Sequence, residues 1–443
     1  GAIVLAVGLK TWLLLADVVP FNSDEAVVAL MARHILQGER PIFFYGQAYM
    51  GSLDAWLVAG GFALFGEHVD VIRLIQILLY IATLWTTFLL GKIAFGSRWV
   101  GAVAAILLAI PSVILTLYTT VSLGGYGEAL LLGNLILLQG FRLIHRLRGE
   151  KSISGWGWLL WGIIAGLGLW TFGLTLVYSF PMGLALLWQG WSRASRSKSS
   201  SFFSVGKIVV IIFVGVLIGS LPWWGYALQH GFAHLIQELS GGAIAGVGGD
   251  PWLRQIWNHA WMFVLFGSTA VFGLRPSWEI RWLALPLLPL ILAFWTAVTI
   301  HIVRRFKQKR FTKLEPGILV AVTLTLGIGY IFTPFGADPS GRYFLPLMIL
   351  LSLFAAEMIL LLVNRHGRWA WGLVALVLVY NLWGMLQSAR RYPPGITTQF
   401  DPVAQVDHRY MPALIEFLYQ QDETRGYTNY WVSYPLAFRS DET

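Results

Sequence analysis

The chain has 443 residues, of which 57% are hydrophobic, 15% aromatic and only 12% charged, whereas ordinary soluble domains carry roughly 25% charged residues. With a mean hydropathy of +0.66, a soluble enzyme is excluded. Basic residues outnumber acidic ones by 31 to 22, which gives a net charge of +9, and cysteine is absent. Disulfides, thiolate nucleophiles and cysteine-ligated metals are therefore excluded as well.

Apolar stretches of the length that crosses a bilayer, about 17 to 25 residues, recur from end to end. More than half of the basic residues lie in short loops between these stretches, for example around Arg146, Lys198 and Lys309. This distribution is typical of cytoplasmic loops and not of a nucleic-acid-binding patch. Keeping these loops on one side predicts about eleven transmembrane helices. Their expected ranges are 2–19, 71–91, 99–118, 128–145, 155–171, 174–190, 207–226, 282–303, 316–333, 345–363 and 369–388.

Two shorter apolar segments would reverse this topology if they crossed. We therefore expect residues 52–65 to lie along the outer face, and residues 261–274 to be re-entrant or interfacial. Gly1 lies inside an apolar segment, and the segment that contains residue 443 shows no recognisable end. We therefore expect the sequence to be truncated at both ends. The predicted fold is an all-α polytopic membrane domain over 1–389. The start of a soluble extracytoplasmic domain follows over 390–443, with a helix at 411–421 and an aromatic strand at 427–434.

Most acidic residues fall in or beside four predicted outer segments, 20–70, 119–127, 227–281 and 334–344, so we expect the chemistry on the outer face. The first segment contains an amphipathic helix at 23–37, predicted to lie in the membrane interface. Asp24 and Glu25 begin this helix. One interpretation is structural, because Asn22 is positioned as an N-cap and both acids suit the helix dipole. The other is that a carboxylate at the membrane boundary acts as a general base.

The next two outer segments offer weaker candidates. Glu128 begins a span directly after a glycine-rich turn, a position where an acid is commonly structural. The glycine run at 240–250 is a poor nucleotide-binding match and predicts a mobile loop that orders over a bound substrate. His230, His234 and Glu238 recur at i, i+4 and i+8, the spacing of one helical face. They are candidates for a divalent metal, although such spacing also arises by chance; no other cofactor is indicated.

In the fourth segment, Arg342 stands where an apolar run begins. It either extends its charge to the lipid headgroups or grips a lipid phosphate with its planar donors. Within the spans only Lys10 and Glu357 are conspicuous charges, and no internal repeat is visible. A transporter normally has more charges near the midplane.

Four strings carry a family resemblance: SDEAVVALMARHILQGERPIFFYGQAYMGSLDA, the GYGE turn, GRYFLPL and RGYTNYWVSYPLAFRSDE. The chain resembles bacterial membrane glycosyltransferases of the C-type fold, relatives of the protein O-mannosyltransferases and the lipid A aminoarabinose transferase. The resemblance implies transfer of a hexose or pentose from a polyprenyl-phosphate donor to an acceptor hydroxyl on the outer face of the inner (plasma) membrane. The acceptor would be a glycan, a lipid or a protein. The family's essential acid falls on Asp24, with Glu25 adjacent, and its second acid falls on Glu128.

A phosphate leaving group calls for a base on the acceptor and a cation on the phosphate. We therefore assign Asp24 as base and Arg342, with Tyr343 beside it, as phosphate-binding residue. The sugar and acceptor are expected to contact Tyr45, Gln47, Tyr49 and Tyr126. Two alternatives stay open: a lipid or sugar transporter or flippase without covalent chemistry, and a sugar polymerase or ligase of another membrane fold.

Overall fold

The computed structural model describes residues 1–149, 154–196, 201–241, 251–307, 314–391, 393–399, 403 and 405–442. Lys198 and Lys309, which lie in predicted cytoplasmic loops, and Gly248, in the predicted outer segment 227–281, are outside the described residues. The chain is a helical bundle, which confirms the predicted all-α membrane class. In the described parts, one small antiparallel hairpin departs from it, formed by strands β1 (Phe43–Phe44) and β2 (Gln47–Gly51) in the first predicted outer segment.

The first third of the chain forms six helices. They are α1 (Ala2–Leu15), α2 (Ser23–Leu36), α3 (Leu53–Phe65), α4 (Val69–Ala94), α5 (Arg98–Leu107) and α6 (Val113–Leu117). The predicted cap is confirmed, because the Asn22 side chain accepts a 3.2 Å hydrogen bond from the backbone N–H of Glu25. The predicted span 99–118 is instead broken between α5 and α6. Pro111 lies at the break, where it has no backbone N–H to continue a helix.

The middle of the chain forms α7 (Tyr126–Arg148), α8 (Gly155–Thr171), α9 (Leu176–Arg196), α10 (Ser201–Gly219), α11 (Leu221–His230) and α12 (Phe232–Gly241). The predicted span 207–226 becomes α10 and α11, which are bent by 72° relative to each other. Helices α8 and α10 approach closely through glycines spaced four apart. A Cβ at Gly162 or Gly166 would collide with a carbonyl of α10. This small-residue contact is typical of helix packing in membranes.

The last third contains α13 (Trp252–Met262), α14 (Ser268–Val271), α15 (Leu288–Lys307), α16 (Leu314–Phe332), α17 (Leu345–His366), α18 (Gly372–Ala389), α19 (Met411–Gln420) and α20 (Tyr430–Arg439). A five-residue π-helix, Phe263–Gly267, connects α13 to α14. The predicted helix at 411–421 is confirmed. The predicted strand at 427–434 is wrong, because the Asn429 side chain accepts a hydrogen bond from the Trp431 N–H, 2.9 Å away, and starts α20.

Each predicted span corresponds to a helix or to a broken helix. Among the described residues, five segments are long and apolar enough to cross a membrane, or six if the bent pair α10 and α11 is one span. One of the five, Arg342–Ala389, contains both α17 and α18. The polytopic membrane fold is thus confirmed, and the count of eleven stays a prediction.

Helix α2 is buried by protein, which corrects the expectation of a helix lying in the membrane interface. Nearly all of its side chains are inaccessible, and it packs against α3 and α20. Arg33 on α2 donates a hydrogen bond to the carbonyl of Phe438, 3.1 Å away, and the rings of Phe21 and Phe438 lie 5.6 Å apart. The C-terminal segment, of which residues 393–399, 403 and 405–442 are described, therefore packs over α2 in the first predicted outer segment.

The charged residues inside the helices have protein partners. The Lys10 ammonium donates to the carbonyl and hydroxyl oxygens of Thr119, at 2.7 and 2.8 Å, and to the hydroxyl of Thr120, at 2.8 Å. Glu357 contacts His301 at 3.0 Å and also Arg305. These two charges are fixed by internal contacts, as expected of structural residues and not of groups that bind a transported ion.

Candidate active site

Asp24 lies in the first turn of α2, half-buried beneath the C-terminal segment. Its two carboxylate oxygens accept separate hydrogen bonds, from the Thr398 hydroxyl at 2.7 Å and from the Tyr430 hydroxyl at 2.8 Å. Burial and the adjacent Asp24 carboxylate raise the pKa of Tyr430 well above its ordinary value, so this phenol stays a donor. Asp24 is therefore a fixed carboxylate that still reaches the surface of the site.

The next residue, Glu25, has a different environment. Its side chain is fully buried, and Arg73 of α4 donates to both of its oxygens, at 3.1 Å each, and to the carbonyl of Val19 at 2.9 Å. This contact joins α2 to α4. Of the two acids that begin α2, Asp24 is the one that remains accessible.

Arg342 lies on a short 3-10 turn that precedes α17. Gly341 starts this turn with a φ of +83°, a left-handed conformation that favours glycine. The guanidinium lies 2.6 Å from a carboxylate oxygen of Asp338, donates weakly to the Tyr343 hydroxyl at 3.3 Å, and sits over the Tyr343 ring. Its Nε is buried without a hydrogen-bond partner among the described residues. A donor in this state can still bind an anion.

Tyr118 connects the two predicted functional regions. It follows α6 and interacts electrostatically with both Asp24 and Arg342. Tyr126, in the GYGE turn, packs edge-on against the Tyr118 ring with centroids 4.8 Å apart, and its buried hydroxyl has no described partner. The structure therefore brings three predicted outer segments and the C-terminal segment together around one aromatic cluster. Sequence analysis did not identify Tyr118, because aromatic residues are common at the ends of the predicted spans.

An apolar cleft of about 480 Å³ opens beside Arg342. Helices α8, α9 and α16 form its walls, with Phe172, Phe180 and Gly329 among the lining residues. Tyr49 and Tyr343 line the same cleft, so its polar end lies next to the guanidinium that Tyr343 contacts. The cleft has the shape and lining that suit a hydrocarbon chain with an anionic head.

The hairpin separates the residues predicted to contact the sugar. The Tyr49 hydroxyl donates to Gln47 at 2.7 Å, and its ring packs edge-on against Phe335, so both residues lie near the cleft. Tyr45 instead donates to Glu39 at 2.8 Å and lies 3.1 Å from a ring nitrogen of His34. Tyr45 therefore belongs to a separate cluster at the other end of α2.

Glu128 is buried against a carboxylate that sequence analysis did not single out, Asp54 of α3. Asp54 accepts hydrogen bonds from Ser122 at 2.5 Å, from Gln76 at 3.0 Å and from the backbone N–H groups of the glycine turn at 3.2 and 3.3 Å. Neither oxygen of Glu128 has a described hydrogen-bond donor. The sequence feature that could have identified Asp54 is an acidic residue in the first turn of a short apolar helix.

The three metal candidates do not share one helical face. His230 ends α11, Gly231 adopts a left-handed φ of +95°, and the other two residues lie on α12. His234 is 2.8 Å from the Tyr226 hydroxyl and 4.0 Å from Glu238. In the described part of the chain, no group of three or more histidine or acidic side chains is arranged to hold a metal. The predicted mobile loop falls mostly on residues 242–250, outside the described residues.

Comparisons with known proteins agree with this architecture. Residues 52–218 match the family described as dolichyl-phosphate-mannose-protein mannosyltransferase. The crystal structure of the apo oligosaccharyltransferase from Archaeoglobus fulgidus aligns with a TM-score of 0.54 and 14% identity, over 96% of this chain and 59% of that one. ArnT from Cupriavidus metallidurans, bound to undecaprenyl phosphate, aligns with a TM-score of 0.52 and 15% identity, over 99% and 75%.

A second structure from the same archaeon is AglB with an inhibitory peptide and a dolichol-phosphate, at a TM-score of 0.51 and 12% identity, over 93% of this chain and 56% of that one. The chain thus spans less than two thirds of the oligosaccharyltransferases that it resembles. No curated protein matches it significantly in sequence. These findings confirm the C-type glycosyltransferase fold, and they relate residues 52–218 to the mannosyltransferase family.

Proposed function

We propose that this protein is a membrane glycosyltransferase that moves a sugar from a polyprenyl-phosphate donor to an acceptor hydroxyl. One observation carries the proposal. An accessible carboxylate, Asp24, and a guanidinium with an unpaired donor, Arg342, both interact electrostatically with one tyrosine, Tyr118, and Arg342 lies beside an apolar cleft. A base, a phosphate-binding cation and a lipid-binding surface are the three elements that this reaction requires.

In this proposal the donor's isoprenoid chain occupies the cleft, and its phosphate lies at Arg342. The buried Nε of Arg342 and the Tyr126 hydroxyl are donors without described partners, and both suit phosphate oxygens. Asp338 now neutralises the guanidinium at 2.6 Å. The incoming phosphate shares or replaces that carboxylate, while Tyr343 keeps the guanidinium in place.

Asp24 acts as the general base. It takes the proton of the acceptor hydroxyl while the acceptor oxygen forms a bond to the anomeric carbon. The bond from that carbon to the phosphate oxygen breaks, and polyprenyl phosphate leaves with the electron pair. Arg342 stabilises the negative charge that the phosphate gains, and Tyr49 and Gln47 are positioned to contact the sugar.

The proposed location is the inner (plasma) membrane, with residues 1–389 as catalytic domain and the site on the extracytoplasmic face. The basic residues of the predicted cytoplasmic loops support this orientation. Arg148 lies at the end of α7 opposite Tyr126, and Arg305 lies close to Glu357, far along α17 from Arg342. The positive-inside rule assigns that end to the cytoplasm.

The test is donor turnover by the purified chain. Undecaprenyl-phosphate hexoses and pentoses are incubated with it in detergent together with hydroxyl-bearing glycan, lipid and peptide acceptors, and free undecaprenyl phosphate is quantified by mass spectrometry. We expect release with at least one donor, and release lowered by roughly 100-fold or more with the Asp24→Asn variant. A transporter would release no polyprenyl phosphate, so absence of release with every donor would contradict the proposed function.

A further inference from the structure

The C-terminal segment reaches directly into the candidate site. Thr398 donates its hydroxyl hydrogen to Asp24 at 2.7 Å, and it accepts a hydrogen bond from the Asn22 side-chain amide at 3.1 Å. Tyr430 donates to the other Asp24 oxygen at 2.8 Å. Both donors come from one segment, and each uses a different oxygen of the carboxylate.

The position of Tyr430 is fixed at both ends of the residue. Its hydroxyl donates to Asp24. Its backbone carbonyl accepts a hydrogen bond from the hydroxyl of Ser23, the residue before Asp24. The far end of α20 is held as well, because Arg33 donates to the Phe438 carbonyl at 3.1 Å. Helix α20 therefore lies in register along α2, with one tyrosine hydroxyl directed at Asp24.

We propose that Thr398 and Tyr430 are positioning residues for the base, and that the described part of the C-terminal segment completes the active site. The inference rests on the proposed function. A carboxylate oxygen has two lone pairs, so each Asp24 oxygen can accept one of these hydrogen bonds and still face an acceptor hydroxyl. The two donors fix the orientation of the carboxylate.

The surroundings of Asp24 leave these donors as its main polar partners. Among the described residues, Tyr118 also interacts electrostatically with it. Glu25 and Arg73 neutralise each other on the far side of α2, and the Tyr434 ring packs against Tyr430 with centroids 5.2 Å apart. Loss of the two hydroxyls should therefore alter the orientation of the Asp24 carboxylate more than any other property of the site.

The experiment compares Tyr430→Phe, Thr398→Val and the double variant with wild type in the donor-turnover assay. Tyr434→Phe is the matched control, since it removes a hydroxyl from the same helix that makes no described bond to Asp24. We expect kcat to fall by about 10-fold in each single variant and about 100-fold in the double variant. Affinity for undecaprenyl phosphate should stay within about 2-fold.

Folding is controlled by normalising rates to the undecaprenyl phosphate binding sites and by Thr398→Ser, which keeps the hydroxyl and should restore most of the rate. Wild-type kcat in the double variant would overturn the inference, as would equal losses in Thr398→Ser, Thr398→Val and Tyr434→Phe. An active Asp24→Asn variant would instead overturn the proposed function. The two failures are thus distinguishable.

Discussion

Arg73 grips Glu25 with two hydrogen bonds of 3.1 Å, and only one residue away Asp24 is left at the surface of the candidate site. Successive residues of a helix point about 100° apart. Two neighbouring acids can therefore serve different purposes, one joining helices α2 and α4 and the other available to a substrate. This division leads to the first prediction.

Glu25→Gln should lower the free energy of unfolding by about 3 kcal/mol, because it leaves the Arg73 charge buried without its partner. Asp24→Asn should leave stability nearly unchanged while turnover per folded molecule falls by roughly 100-fold or more. Denaturant unfolding in detergent, together with donor turnover normalised to folded protein, separates the two effects. If Glu25→Gln lost turnover as severely as Asp24→Asn without unfolding, the assignment of the base would be wrong.

Arg342→Lys keeps the charge but loses the planar pair of donors, and Arg342→Ala loses both. Affinity for undecaprenyl phosphate should weaken by about 10-fold in the first variant and about 100-fold in the second. Isothermal titration measures it directly. Arg365, an exposed arginine near the C-terminal end of α17, provides the control variant Arg365→Ala. If Arg342 only extended to the lipid headgroups, its substitution would lower stability by about 1 kcal/mol and leave the affinity for undecaprenyl phosphate unchanged.

Gly329 lines the apolar cleft, and a Cβ at this position would meet nothing within 4 Å. Gly329→Leu should fold normally and fill part of the cleft, which lowers affinity for undecaprenyl phosphate by about 10-fold. The affinity for a phosphate that carries only a two-isoprene chain should fall less in this variant than the affinity for undecaprenyl phosphate. Gly317→Leu is the matched control for Gly329→Leu. Gly317 lies on the same helix and has equally open surroundings, but it does not line the cleft. Equal effects of the two substitutions on both lipids would exclude the cleft as the donor site.

The proposed orientation predicts opposite labelling of two exposed positions. Tyr427 in the C-terminal segment is fully exposed, and Trp369 between α17 and α18 is 92% exposed. Because the chain contains no cysteine, single cysteines at these positions can be labelled without background. A membrane-impermeant maleimide added to spheroplasts should label 427 and not 369, and inside-out vesicles should give the reverse. Labelling of both from one side would refute the topology.

The sequence by itself determined the helical membrane fold, the approximate limits of the predicted spans and the capped start of α2, and it supplied Asp24 and Arg342 as candidate site residues. These features depend on local chemistry: hydropathy over about 20 residues, a cap within one turn, and motifs within a single loop. The same local evidence misled at 427–434, where aromatic residues suggested a strand although Asn429 starts a helix.

Only the tertiary structure decided what these residues contact. The partners of Asp24 lie 374 and 406 residues away in the chain, and Arg73 lies 48 residues from Glu25. No periodicity links such positions, because the pairing depends on how α20 and α4 pack on α2. The same packing buried a helix that appeared amphipathic, split the three metal candidates between two helices and paired Glu128 with Asp54. Local pattern set where the polar groups occur, and long-range packing set which of them meet.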